Sequence, residues 1–157
     1  MASIIGVETL QHTNGTTAAT IDSSGRILQP AKPAFMAVMT SSQASNNDLV
    51  FDKVIFDQGN NYDNSTGIFT APVAGVYQFT LVYLSDNATG NHDCEMKHNS
   101  TIVQYLRVDQ DFTRHNTASG TVVVDMAAND TFQCRCSVGE VYGSASHWTT
   151  FSGHLIG

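Results

Sequence analysis

Ten residues, GVYQFTLVYL at 75–84, constrain the fold of this chain more than any others. The run is rich in β-branched and aromatic residues, which favour a pleated, half-buried backbone. Tyr77, Phe79, Leu81 and Tyr83 alternate on one face of a strand, with Val76, Thr80, Val82 and Leu84 on the other. Both faces are therefore largely apolar. One face is expected to meet the core of a small sandwich and the other a neighbouring subunit.

The rest of the chain keeps the same period of two, and helical periodicity is nearly absent. Further strands are expected at 33–40, 49–58, 67–72, 93–98, 100–108, 117–126, 130–138 and 147–156, separated by clusters of Gly, Asn, Asp and Ser. Alternation is imperfect in LVFDKVIFDQ (49–58), so a bulge or break is expected there. About nine short, evenly spaced strands mean a β-sandwich or jelly roll. At 157 residues the chain can bury a core without disulfides or a structural metal.

Charged residues make up 13% of the chain, about half the usual ~25%. A formal charge of −7, with the basic run at 107–114 cancelled by Asp109 and Asp111, leaves no electrostatic footprint for nucleic acid or an anionic membrane. Neither is expected as a partner. No apolar run approaches the ~20 residues that span a bilayer. MASIIGVETLQHT lacks a basic n-region and carries Glu8, so it is not expected to be a secretory signal. Cys134 and Cys136 flank Arg135 on one strand face, and with Cys94 they are expected as free thiols packed as small hydrophobes, consistent with a reducing cytoplasm. Spacing alone leaves open a bridge from Cys94 to either of the other two.

The first thirty residues differ in kind. Asn14-Gly15 signals a two-residue type I′ hairpin, and Asp22-Ser23-Ser24-Gly25 fits a type I turn. Stretches 4–12, 16–21 and 26–28 thus read as a three-strand meander. Its apolar residues, among them Ile5, Val7, Leu10, Ile21, Ile27 and Leu28, need something to pack on, because such a sheet is marginal alone. Two domains are expected, a β-meander attachment or trimerisation module at 1–32 and a globular head at 33–157.

The stretch 51–84 carries a spaced set of motifs: Phe56-Asp57, Gly59, Tyr62, Thr66-Gly67-Ile68-Phe69, and Pro72-Val73-Ala74-Gly75-Val76-Tyr77-Gln78-Phe79. With TASGTVVVDMAANDTFQCRCSV (117–138) and TTFSGHLIG (149–157), these resemble the globular head of complement C1q and its relatives in the tumour-necrosis-factor superfamily. The resemblance implies an all-β, ten-strand jelly roll that assembles as a homotrimer. Phe56, Tyr62, Phe69, Tyr77, Phe79, Tyr83, Trp148 and Phe151 are then the expected core or trimer residues. The stretch 12–38, HTNGTTAATIDSSGRILQPAKPAFMAV, resembles the start of tail-fibre and virion proteins of tailed bacteriophages. No Gly-X-Y period precedes the head.

No nucleophile, base and orienter cluster in the sequence, there is no G-x-S-x-G, and neither an enzyme nor a cofactor is expected. His92, Asp93, Cys94 and His98 are spaced poorly for a metal site, and ordinary surface histidines are the expected reading. An ion on a threefold axis would draw on Asp111, His115 or His147. Five Asn-x-Ser/Thr sequons, at Asn14, Asn64, Asn87, Asn99 and Asn129, are attributed to a composition rich in Asn and Thr.

The expected function is a trimeric phage fibre or appendage protein, resident in the virion. Residues 1–30 would dock to other virion proteins, and the distal loops 41–48, 85–91, 109–116 and 140–147 would bind a host-surface glycan or protein. The candidate contact residues are Asn46, Asn47, Asp86, Asn87, Asn91, Asp111, Phe112, Arg114, His115, Tyr142 and His147. The alternatives are a structural capsid-decorating or connector protein, and a secreted C1q-like lectin or signalling ligand.

Overall fold

The computed structural model describes residues 6–157, and every regular element among them is a strand. They divide into two compact units, meeting in sequence at Lys32 and Pro33. The first holds β1 (Thr9–Gln11), β2 (Thr17–Ile21) and β3 (Ile27–Leu28), antiparallel in that order. The first turn is not the expected two-residue form. Gly15 N donates to His12 O at 2.8 Å and His12 N to Thr16 O at 2.9 Å, closing a three-residue loop in which Gly15 alone has positive φ, 88°. A separate bulge follows further along the ribbon, where Leu10 faces Ala19 and Gln11 faces Thr17, leaving Ala18 extra. Asp22 to Arg26 repeats the design, with Gly25 N on Asp22 O at 2.9 Å and Gly25 at φ 79°. The Arg26 amide and guanidinium on the Asp22 carboxylate hold its pKa below the usual range.

The second unit is built from thirteen strands in two sheets. In chain order they begin with β4 (Ala34–Val38), β5 (Gln43–Ala44), β6 (Asn47–Asp48), β7 (Lys53–Gln58), β8 (Tyr62–Asp63) and β9 (Ile68–Thr70). There follow β10 (Gly75–Ser85), β11 (Gly90–His98), β12 (Thr101–Gln110) and β13 (Thr117–Met126). The last are β14 (Thr131–Val138), β15 (Glu140–Tyr142) and β16 (Thr150–Leu155). Sheet one runs β7-β4-β16-β10-β13, with β15 beside the end of β10 and β5 beside β15. Sheet two runs β8-β9-β14-β11-β12, with β6 on β14. Ten strands thus make the jelly roll, and β5, β6 and β15 are additional short ones inside segments expected to be loops, 41–48 and 140–147. β5 pairs in one sheet and β6 in the other, so this segment carries the chain across the sandwich. The break expected at 49–58 is a bulge: Met36 faces Phe56 and Ala37 faces Val54, leaving Ile55 extra.

The inward face of β10, Tyr77, Phe79, Leu81 and Tyr83, is fully buried. Aromatic rings from both sheets fill the interior: Phe79 stacks on Phe132 at 3.9 Å, and Phe35 on Tyr62 at 4.7 Å. Gly153 gives these rings room, since a Cβ there would lie 2.6 Å from Phe79 Cε1 and 2.8 Å from Phe35 Cε1. Gly67, at φ 79°, is fixed by the close approach of the Leu49 carbonyl. Phe56 and Trp148 are not core residues of the chain: they are 49% and 57% exposed, because Phe56 points outward from an edge strand and Trp148 sits on the loop before β16. The histidine reading is corrected at His92, which is 2% exposed because it shares the inward parity of Cys94 and Met96.

Candidate functional site

Strand register dictates which side chains share the outer face of sheet one. Thr80 faces Thr121 and Ser152, Ser152 faces Met36, and Met36 faces Phe56, which makes one row across five strands. The next row is Val123, Gln78 and His154. Thr80 and Thr121 join hydroxyls at 2.8 Å. Around them Val76, Val123 and Phe56 are exposed, and Val82 and Leu84 are half-buried. This is the second apolar face anticipated for β10, and in the single chain it is open to solvent.

The face ends in an aromatic cleft of about 290 Å³, lined by Leu84, His115, Tyr142 and Trp148. The His115 and Tyr142 rings lie 4.4 Å apart. His115 Nδ1 donates to Ser85 O at 2.7 Å. Buried Thr149 ties the cleft together, donating to Tyr142 O at 2.6 Å and accepting from Leu84 N at 3.1 Å. Sequence reasoning named His115 and Tyr142 but put Trp148 elsewhere; no spacing signal links the loop before β13 to the end of β15 and the loop that follows it.

Pro33 and Gly157 lie at one end of the head, since Leu155 N donates to Pro33 O and Val76 N to Gly157 O. The loops after β10, β12 and β15 lie at the other. A buried polar network braces them. Gln110 Nε2 donates to Asp86 O at 2.9 Å and to Ala88 O at 2.6 Å, and Ser85 Oγ donates to Gln110 Oε1 at 2.8 Å. The buried His92 ring sits between these groups, with Nε2 3.0 Å from Gln110 Nε2 and 3.1 Å from Ala88 O, and Nδ1 3.2 Å from Glu140 O. Tyr83 OH reaches His92 O at 2.8 Å, and burial pushes its pKa well up.

The other expected contact residues are dispersed over these loops. Arg114 lies over the Phe112 ring at 5.9 Å, and Phe112 is 69% exposed. His147, at φ 61°, accepts from Lys53 Nζ at 3.0 Å on Nε2. Asn46, at φ 64°, uses its amide on Cys136 O, and Asn47 Nδ2 reaches Ala44 O and Ser45 O. Asn87, Asn91 and Asp111 are exposed, and Asp86 is half-buried. Within one chain Asp111, His115 and His147 do not converge, and no three His, Cys, Asp or Glu side chains gather as a metal site among the described residues. Val7, Leu10, Ile21, Ile27 and Leu28 of the first unit are exposed, and Ile5 lies outside the described residues.

Comparison with known proteins matches residues 34–156 to the C1q domain. Complement C1q tumor necrosis factor-related protein 3 of Mus musculus is 30% identical over 124 residues, covering 78% of this chain and 50% of that protein. The chain spans about half the length of the curated relatives it matches. Among solved structures, the globular domain of zebrafish complement 1qA has a TM-score of 0.67 at 18% identity, covering 80% of this chain and 98% of that one. Murine APRIL has a TM-score of 0.64 at 9% identity, covering 80% and 99%. A trimeric state is consistent with this family. The virion location expected above is overturned: the relatives from mouse, human and rat are complement C1q and tumour-necrosis-factor-related proteins, and they point to an extracellular protein. Nothing in the comparisons supports the phage resemblance of residues 12–38. On the match over residues 34–156, the chain belongs to the C1q-domain family.

Proposed function

We propose that this chain is an extracellular C1q-like ligand whose heads join as a homotrimer through the outer face of sheet one. It acts by binding rather than by catalysis, presenting the braced loops opposite Pro33 and Gly157 to a glycan or protein receptor. The observation that carries this reading is the set of large apolar side chains which that face leaves in solvent, with Phe56 49%, Trp148 57% and Val123 60% exposed in the single chain. Exposed large apolar side chains gathered on one sheet face mark an interaction surface. Three copies of one weak loop surface, held on one rigid body, gain avidity.

The test is solution mass by light scattering, for the wild type and for Val123→Glu. Three chains per particle are expected for the wild type, and single folded chains, with unchanged β circular dichroism, for the variant. A monomeric wild type overturns the trimer. Receptor recognition is tested by binding of labelled trimer to animal cells, which the double variant Phe112→Ala/Arg114→Ala is expected to reduce at least tenfold. Undiminished binding refutes the loop assignment.

A further inference from the structure

We propose that Cys94 and Cys136 form a disulfide clasping β11 to β14 when the chain folds in the presence of a small-molecule disulfide, while Cys134 stays a thiol. All three cysteines are buried and unbridged in the structure. Cys94 and Cys136 are direct partners in the β11–β14 register. The type of pairing follows from the other edge of β14. Cys136 O accepts from Asn46 N and Cys134 O from Leu49 N, each at 2.8 Å, so the backbone polar groups of both cysteines point away from β11. Cys94 and Cys136 are therefore a non-hydrogen-bonded pair, for which Cα atoms stand about 4.5 Å apart with side chains close together. That spacing falls within the roughly 4.4–6.8 Å that a disulfide spans.

Cys134 fails the same criteria. Its register partner on β11 is Met96, so Cys94 is its diagonal neighbour, at about 7 Å or more. Cys136 lies two residues along the same strand, about 6.6 Å away, with parallel Cβ vectors. The register also slips between Asp93 and Cys94, opposite Ser137, and a bulge there adds twist that relaxes the pair toward bonding geometry. The two thiols lie close enough to perturb each other: interaction with Cys136, together with burial, pushes Cys94 far up, and Cys94 draws Cys136 down, while Cys136 Sγ donates to Val138 O at 3.4 Å.

The step balances with oxidised glutathione or a similar disulfide as oxidant. The Cys136 thiolate attacks one sulfur, the S–S bond breaks, and one glutathione thiolate leaves. The Cys94 thiolate then attacks the Cys136 sulfur of the mixed disulfide and expels the second glutathione. Two protein thiols are oxidised, one small disulfide is reduced to two thiols, and the two cysteine protons end on those thiols. Because both sulfurs are buried in the finished fold, this happens during folding. The clasp does not rest on the trimer or on receptor binding.

The test is refolding from denaturant with reduced and oxidised glutathione, then alkylation and non-reducing peptide mapping. Trypsin cuts after Arg135, which places Cys134 and Cys136 on different peptides and makes the assignment unambiguous. A linked Cys94–Cys136 pair with alkylated Cys134 is expected, together with a higher unfolding midpoint that reverts on adding reductant. Cys134→Ala is expected to keep both effects and Cys136→Ala to lose both. Three alkylated cysteines, a bridge to Cys134, or a bridge that lowers the midpoint overturns the proposal. The wild-type map decides the matter even if a variant does not fold.

Discussion

Gly153 sits where the aromatic interior has no slack, and Gly153→Ala measures that directly. The added methyl would meet Phe79 Cε1 at 2.6 Å and Phe35 Cε1 at 2.8 Å. Neither ring can retreat freely. Phe79 is stacked on Phe132 at 3.9 Å with 7° between planes, and Phe35 on Tyr62 at 4.7 Å with 5°. Forcing a methylene-sized group into such a core costs about 1–3 kcal/mol, and replacing a strand glycine returns about 0.5–1 kcal/mol. The net is a loss of up to about 2.5 kcal/mol, centred near 1 kcal/mol, or roughly a factor of 5 in the folding equilibrium. Guanidinium unfolding at one fixed protein concentration, followed by circular dichroism, reads this as a lower midpoint with unchanged slope. Phe79→Val removes Cδ1 and Cε1, the ring atoms nearest the added methyl, so adding Gly153→Ala to it is expected to cost about 1 kcal/mol less than in the wild type. If Gly153→Ala is stabilising, or if its cost persists beside Phe79→Val, overlap with the Phe79 ring is not the reason this position is glycine.

Three further outcomes follow from particular contacts. Gln110→Ala removes the donor that holds Asp86 O and Ala88 O; about 1–3 kcal/mol of stability is expected to go, with faster hydrogen exchange confined to 86–92 and 109–116. Hydrogen bonds from Asn99, His98 and the Ala127 amide hold the Asp130 pKa below its unfolded value, so its stabilising contribution is present above about pH 4 and lost as pH falls through the lower folded value. Asp130→Asn is therefore expected to flatten that part of an acid-unfolding curve. Gly67→Ala combines a left-handed φ of 79° with overlap of the Leu49 carbonyl, and thermal melting is expected to show a loss of about 2 kcal/mol or more.

Much of the head was legible because its signals are local and periodic. Strand parity alone placed Tyr77, Phe79, Leu81 and Tyr83 in the core, and it also contained the burial of His92, two residues before Cys94 on the same face. Treating a histidine in a polar stretch as surface overrode that parity. The short strands β5, β6 and β15 were hidden because two or three residues carry no period; their pairing is imposed by the longer strands beside them. The cleft of His115, Tyr142 and Trp148 was hidden for a different reason, since His115 comes from a loop distant in sequence from Tyr142 and Trp148, and β10 and Thr149 bring them to one place.

The opening unit shows why local chemistry, read correctly, still misassigned biology. Both of its turns rest on the same device: an i to i+3 bond, a glycine at positive φ, and a side-chain oxygen accepting a backbone amide. Asn14 Oδ1 serves Thr16 N at 3.0 Å, and Asp22 Oδ1 serves Ser24 N at 2.9 Å. Any antiparallel ribbon reversing over three residues satisfies its backbone this way. Thr-Asn-Gly-Thr and Asp-Ser-Ser-Gly therefore report the geometry of reversal, and the family match rests on residues 34–156 instead. The motifs of the head constrain far more: Gly67 is fixed by the Leu49 carbonyl, Phe69 stacks on Phe35, and Phe79 on Phe132. A motif identifies a family when distant parts of one fold must all accept it, and the turns of the opening unit answer only to their own hydrogen bonds.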